Sequence, residues 1–166
     1  MALDDTVALI RMKLGHLTVQ RDPYAYVRGL VDLCAQAAGA ERCTLYLVDH
    51  ERAELRARQS HVLAADTRLP IGHGIAGAVA QTGETVNLSD ADGDPRFDAE
   101  VDARGGERTR NMLVVPIWST DRGRVTGVIE VRNKRTGTFE RGDQMNLELI
   151  ADGVAAALER IGAAIA

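Results

Sequence analysis

Two runs of β-branched, alternating residues constrain this chain more than anything else in it. "NMLVVPIWS" (111–119) and "RVTGVIEVRN" (124–133) flank a polar turn at Asp121–Gly123, a pattern that predicts an antiparallel hairpin. Alternate residues of a strand share a face. In the second run Ile129 and Val131 are apolar, whereas Val128, Glu130 and Arg132 are mixed. "RCTLYLVD" (42–49) repeats the asymmetry, with Cys43, Leu45 and Leu47 on an apolar face and Thr44, Tyr46 and Val48 on a mixed one. Such a sheet buries its apolar face under helices and leaves the mixed face to line a polar pocket, provided that no bulge shifts the register.

The other elements follow from local signals. "ELRARQS" (54–60) pairs with the first strand, "TRLPI" (67–71) reads as an edge strand because Pro70 lacks a ladder donor, and "TVNL" (85–88) as a further short strand. Pro23 opens a helix over about 23–38 that Gly39 closes, and "GIAGAVAQTG" (74–83) is a short helix ended by Gly83. A long helix runs from Asp143, with Leu147, Ile150, Val154, Leu158, Ile161 and Ile165 along one side. Near the amino terminus Leu3, Val7, Ile10, Leu14 and Leu17 form a heptad seam. Two heptads are too short to stand alone, so the seam predicts a parallel pairing with a second chain, sharing a bundle with the last helix. From Ser89 to Asn111 the chain is polar and aperiodic, as a lid or binding loop would be.

With 166 residues, 45% of them hydrophobic and 27% charged, one globular domain is expected. A net charge of −4 disfavours non-specific binding to nucleic acid or to an anionic membrane. The apolar runs are far too short for a membrane span, and "MALDD" is acidic where a signal peptide is basic. Cys34 and Cys43 form no spaced framework, which suits a reducing, cytoplasmic setting.

Signals for chemistry are weak. "GHGIAG" (72–77) matches a dinucleotide fingerprint, but its context is antiparallel rather than βαβ. Its glycines either admit an anion to the helix start or permit tight helix–sheet packing. "DADGD" (90–94) lacks the glycine and the closing acid of a calcium loop. His16, His50, His61 and His73 show no metal-ligand spacing, no serine sits in a nucleophile elbow, and Cys43 belongs to the apolar face. No catalytic and no metal-binding residues are expected.

Taken together, "LPIGHGIAGAVAQTGETVNLSDADGDPRF", "TRNMLVVPIW" and "GVIEVRNK" resemble the core of a GAF domain over roughly residues 23–160. The resemblance implies an α+β, PAS-like fold: a central antiparallel sheet, terminal helices on one face and a small-molecule pocket on the other. "NKRTGTFERGDQ" (133–144) is similar to the Asn-Lys, Phe, Asp motif of the regulatory GAF domains of cyclic-nucleotide phosphodiesterases and adenylyl cyclases, with Gln144 in place of the final Glu. The resemblance implies a structural clamp of Asn133, Lys134, Phe139 and Asp143 tying the last strand to the last helix. The helix dipole favours Asp143 at a helix start, which agrees with that role.

By the same resemblance Thr44, His61, Ile75, Ala76, Asp102, Thr109 and Glu130 would face a ligand. Ile75 and Ala76 would offer backbone N–H groups to a phosphate; Asp102, Thr109 and Glu130 would meet the purine and ribose. His61 and Gly105 depart from the family pattern. The implied function is a cytoplasmic regulatory sensor that binds cAMP or cGMP and signals as a homodimer. Its parts would be a dimerisation helix (1–22), the GAF domain (23–160) and an output helix (141–166), with an effector beyond Ala166. The alternative is a ligand-free dimerisation and relay module. A methionine sulfoxide reductase, a third reading, would need turnover dependent on Cys43.

Overall fold

The computed structural model describes residues 3–61, 63–64, 66–102 and 108–165. The elements run in the order α1 (Leu3–Thr18), α2 (Pro23–Ala38), β1 (Ala40–Asp49), β2 (Glu54–Ser60), β3 (Arg68–Pro70), α3 (Gly74–Thr82), β4 (Val86–Leu88), α4 (Ala99–Asp102), β5 (Met112–Trp118), β6 (Val125–Lys134) and α5 (Arg141–Ile165). All strands pair antiparallel in one sheet of order β3-β2-β1-β6-β5-β4. Chain-distant β1 and β6 are therefore its centre, and Pro70 lies on an edge strand.

Local chemistry places the helices. The Asp22 side chain accepts the Tyr24 N–H at 3.0 Å and Pro23 occupies the first turn of α2. Gly39 and Gly83 close α2 and α3 at φ +62° and +71°, in the left-handed region that glycine adopts without penalty.

Strand alternation divides the interior into two cores. Cys43, Leu45, Ile129 and Val131, with Leu113, Val115 and Ile117 of β5, bury against α2 and α5. Tyr46, Val128, Met112 and Val114 bury on the opposite face, against α3.

Three residues of the α1 seam pack within their own chain. Ile10 is buried in the core formed with α2 and α5, and Leu14 and Leu17 pack on it. Two glycines make the room: a Cβ on Gly29 of α2 would lie 2.5 Å from Leu17 Cδ2, and one on Gly153 of α5 3.0 Å from Leu14 Cδ1. These seam residues thus dock on their own chain, because α2 and α5 offer holes at matching heights. Val7 is half-buried beside Met145 and Leu149, and the Leu3 side chain lies outside the described residues. Leu9 and Met12 of α1 and Met145 of α5 remain exposed.

Candidate functional site

The face opposite the terminal helices has a polar end and an apolar end. At the polar end Thr44 of β1 stands opposite both Glu130 of β6 and Ser60 of β2. The Thr44 and Ser60 hydroxyls share a hydrogen bond of 2.7 Å. Arg132, two residues beyond Glu130 and so on the same face, donates from Nε and approaches with Nη2, each 2.6 Å from Glu130 Oε1. Arg132 Nη1 donates to Thr109 Oγ1 at 3.4 Å. Glu130 is only 1% exposed, and its Oε2 has no hydrogen-bond partner among the described residues. A buried carboxylate oxygen left bare is costly, so this atom marks where a donor belongs.

At the other end Tyr46, fully buried, packs with Leu55, Ala57 and Val128, and Phe97 and Trp118 lie against the same cluster. Trp118 closes this end, because a Cβ on Gly83 would fall 2.2 Å from its ring. Ile75 and Ala76, both buried, begin α3 over this face. For Gly77 the packing role is plain: a Cβ there would lie 2.7 Å from the Pro70 carbonyl oxygen, and its own carbonyl accepts the Gly72 N–H at 2.9 Å.

Thr44, Thr109 and Glu130 thus converge, with Ile75 and Ala76 in the α3 wall. Asp102 ends α4, but its side chain lies outside the described residues, as does Gly105. His61 does not join the group. Its Nδ1 accepts the Cys43 N–H at 3.2 Å and its Nε2 meets Asp32 Oδ1 of α2 at 2.9 Å, on the helix-covered side. The cause is a bulge in β2. Tyr46 pairs with Ala57 and Leu45 with Gln59, which leaves Arg58 unopposed. Plain alternation would put Ala57, Gln59 and His61 on one face; the extra residue hands that place to Ser60. Arg132 and Ser60 join this polar group, and sequence reasoning did not name them as candidates. Arg132 carried one signal, its two-residue spacing from Glu130.

The stretch after β6 holds several elements together. Lys134 Nζ donates to Asp143 Oδ1 at 2.6 Å, with the two side chains 20% and 13% exposed. Asp143 Oδ2 accepts the Glu140 N–H at 2.8 Å, and the Lys134 ammonium sits 5.9 Å from the centre of the buried Phe139 ring. Asn133, at φ +58°, donates from Nδ2 to the Arg108 carbonyl at 3.1 Å and accepts the Arg110 N–H at 2.8 Å. Asn111 completes the bracket, its Oδ1 accepting the Lys134 N–H at 2.8 Å.

A cleft of about 520 Å³ opens elsewhere, lined by Leu47, Arg56, Arg58, Leu158 and Glu159. Arg56 and Arg58 both bond Asp66 there, and Glu159 accepts from Thr120, although the buried Arg58 Nε has no hydrogen-bond partner among the described residues. The Glu130 face is the stronger site, because its unmet carboxylate oxygen is flanked by the buried Thr44, Thr109 and Arg132, whereas the cleft is open to solvent. Cys34 and Cys43 are free and buried in the helix-side core, and burial, with Cys34 adjacent, pushes the Cys43 thiol well up. Among the described residues no group of His, Cys, Asp or Glu could hold a metal ion, and no helix is long and apolar enough to cross a membrane.

An antiparallel sheet backed by terminal helices, with a buried polar group on its other face, is the architecture of an α+β domain of the sensor-fold type. The chain belongs to the GAF domain family, whose model matches residues 22–158. It is 34% identical over 140 residues to a probable 3',5'-cyclic phosphodiesterase, pde-5, of Caenorhabditis elegans, covering 76% of this chain and 19% of that protein. It is 35% identical over 134 residues to the dual 3',5'-cyclic-AMP and -GMP phosphodiesterase 11A of Takifugu rubripes, covering 72% of this chain and 15% of that one. The chain thus spans less than a fifth of either relative.

Among solved structures, the GAF domain of a phosphoenolpyruvate-protein phosphotransferase from Coxiella burnetii superposes with a TM-score of 0.86 at 20% identity, over 98% of both chains. That likeness establishes the fold. A free methionine-R-sulfoxide reductase from Neisseria meningitidis, solved with its substrate, gives a TM-score of 0.77 at 26% identity over 95% of this chain and 93% of that one.

Proposed function

We propose that this GAF domain is a cytoplasmic regulatory sensor that binds a cyclic nucleotide on the Thr44–Glu130 face and relays binding through α1 and α5, as a homodimer. The observation that carries the reading is the bare, buried Oε2 of Glu130, flanked by Thr44 and by the Arg132–Thr109 contact. In this reading the base meets Glu130 and Thr109, Asp102 meets the ribose, and the phosphate sits at the Ile75 and Ala76 N–H groups, where the helix dipole favours an anion. Relatives named as cyclic-nucleotide phosphodiesterases support the ligand class. The dimer contact uses the exposed Leu9, Met12 and Met145 rather than the docked Leu14 and Leu17.

Thermal unfolding with added nucleotides tests the ligand. At a hundredfold excess over its dissociation constant, a ligand specific for the folded state adds about 2.7 kcal/mol. A melting temperature unmoved by millimolar cAMP and cGMP sinks the reading. The second reading, a ligand-free relay, draws support from Tyr46, Phe97 and Trp118 filling the apolar end. Native mass spectrometry of protein purified from cells separates the two: a co-purified small molecule favours the sensor. Methionine sulfoxide reduction is not proposed, since both thiols lie under the helices.

A further inference from the structure

The Glu130–Arg132 pair bears on which base the site accepts, and this step rests on the cyclic-nucleotide reading. A carboxylate recognises guanine best with both oxygens in parallel, one on the ring N1–H and one on the exocyclic N2 amino group. It recognises adenine through the N6 amino group alone, which needs a single oxygen. In this protein the two oxygens of Glu130 are not equivalent. Oε1 is approached by Arg132 Nε and Nη2 at 2.6 Å each, which fills its two lone pairs. Oε2 is buried and has no hydrogen-bond partner among the described residues.

The pairing is well fixed. Both residues lie on the central strand β6, on the same face, almost wholly shielded from solvent. Arg132 also reaches Thr109, so its guanidinium has a second anchor on the segment that enters β5. Turning Glu130 to present both oxygens would strip Oε1 from a buried guanidinium, which is expensive. The Thr44 hydroxyl, opposite Glu130 and shared with Ser60, acts as donor or acceptor and so does not by itself discriminate between bases.

We propose that Arg132 makes Glu130 a one-oxygen acceptor, and that the site therefore selects a base offering one amino donor, as adenine does, over one offering adjacent lactam and amino donors, as guanine does. A guanine base would leave one buried donor unmet. Arg132 is thus a positioning residue: it sets specificity through Glu130.

Isothermal titration of the full chain with cAMP and with cGMP is the test, on the wild type and on Arg132→Met and Arg132→Lys. The wild type is expected to bind cAMP about tenfold more tightly than cGMP, the discrimination that one well-formed base contact supplies. Arg132→Met releases Oε1, and the cAMP-to-cGMP preference falls toward unity or reverses, whatever happens to the absolute affinities. Arg132→Lys, with one point donor in place of a fork, retains part of the preference and carries the comparison should the methionine variant misfold. A loss of both affinities by the same factor would mean that Arg132 is merely structural, and would overturn the proposal. Wild-type binding of cGMP as tight as that of cAMP overturns it too, while leaving the cyclic-nucleotide reading intact. No heat and no melting shift with either nucleotide overturns that reading and this inference together.

Discussion

Asn133 grips the main chain of Arg110, its side-chain oxygen accepting the Arg110 N–H at 2.8 Å. The next residue, Lys134, bonds Asp143 at the head of α5. Two consecutive residues thus tie the returning end of the 89–111 segment, which carries Thr109, to the last helix. The left-handed φ of Asn133 turns its amide toward Arg108 and Arg110 as β6 ends, and Asn accepts that conformation better than other side chains with a Cβ. The stretch holds a contact path from the polar face to α5 as well as a clamp on the helix.

Breaking the clamp from one side should be expensive. Lys134→Ala strands Asp143, which is largely shielded, and is expected to cost about 3 kcal/mol in urea unfolding. Lys134→Met combined with Asp143→Leu should cost less than the single change, because no lone charge remains. An additive double variant, or a silent single one, would contradict the pairing.

His61→Ala separates the helix side from the ligand side. Losing its bonds to Asp32 and to the Cys43 N–H should lower stability by about 1 kcal/mol. Nucleotide affinity should stay within about twofold of wild type, since the ring does not face Glu130. A large loss of affinity in titration with stability unchanged would return His61 to the pocket.

Two left-handed glycines provide a paired control. Gly83→Ala drives a Cβ into the Trp118 ring in addition to straining φ, whereas at Gly137, φ +74°, nothing lies within 4 Å. The Gly137→Ala change should cost only the backbone term, about 1 kcal/mol. Gly83→Ala should lower the melting temperature clearly further. Equal shifts would mean that Trp118 yields freely.

Acid should loosen the 89–100 segment before the core. The Arg96 hydrogen bond holds the Asp94 carboxyl below its ordinary range. A carboxylate depressed in the folded state contributes stability above its unfolded pKa, about 4, and loses it as pH falls through the lower folded value. The protection of the Phe97 N–H, which donates to the Asp94 carbonyl at 3.0 Å, measured against its intrinsic exchange rate at each pH, should therefore fall below about pH 4. In Asp94→Asn that fall should be absent, the protection being lower already at neutral pH.

Strand alternation made the two faces legible from sequence: Cys43, Leu45, Ile129 and Val131 bury under helices, while Thr44 and Glu130 lie opposite. Terminal glycines and Pro23 marked the helix ends for the same reason, since each acts through local geometry. The Arg58 bulge was not legible, because nothing in "ELRARQS" breaks alternation, and it alone moved His61 to the other side. Nor could a heptad seam reveal its partner: Ile10, Leu14 and Leu17 suit a second chain as well as they suit α2 and α5. Arg132 read as one more mixed-face residue of its strand, and alternation alone could not show that it bonds Glu130 and Thr109.

The fit of Leu17 against Gly29 and of Leu14 against Gly153 has a mechanical consequence. A Cβ at Gly29 would displace the Leu17 methyl and one at Gly153 would press on Leu14, so α1 is seated like a key in two wards. Advancing it by one residue would misalign both teeth at once. Sliding or rotating α1 against α2 and α5 would unseat both leucines, so the three helices are seated to move as one body.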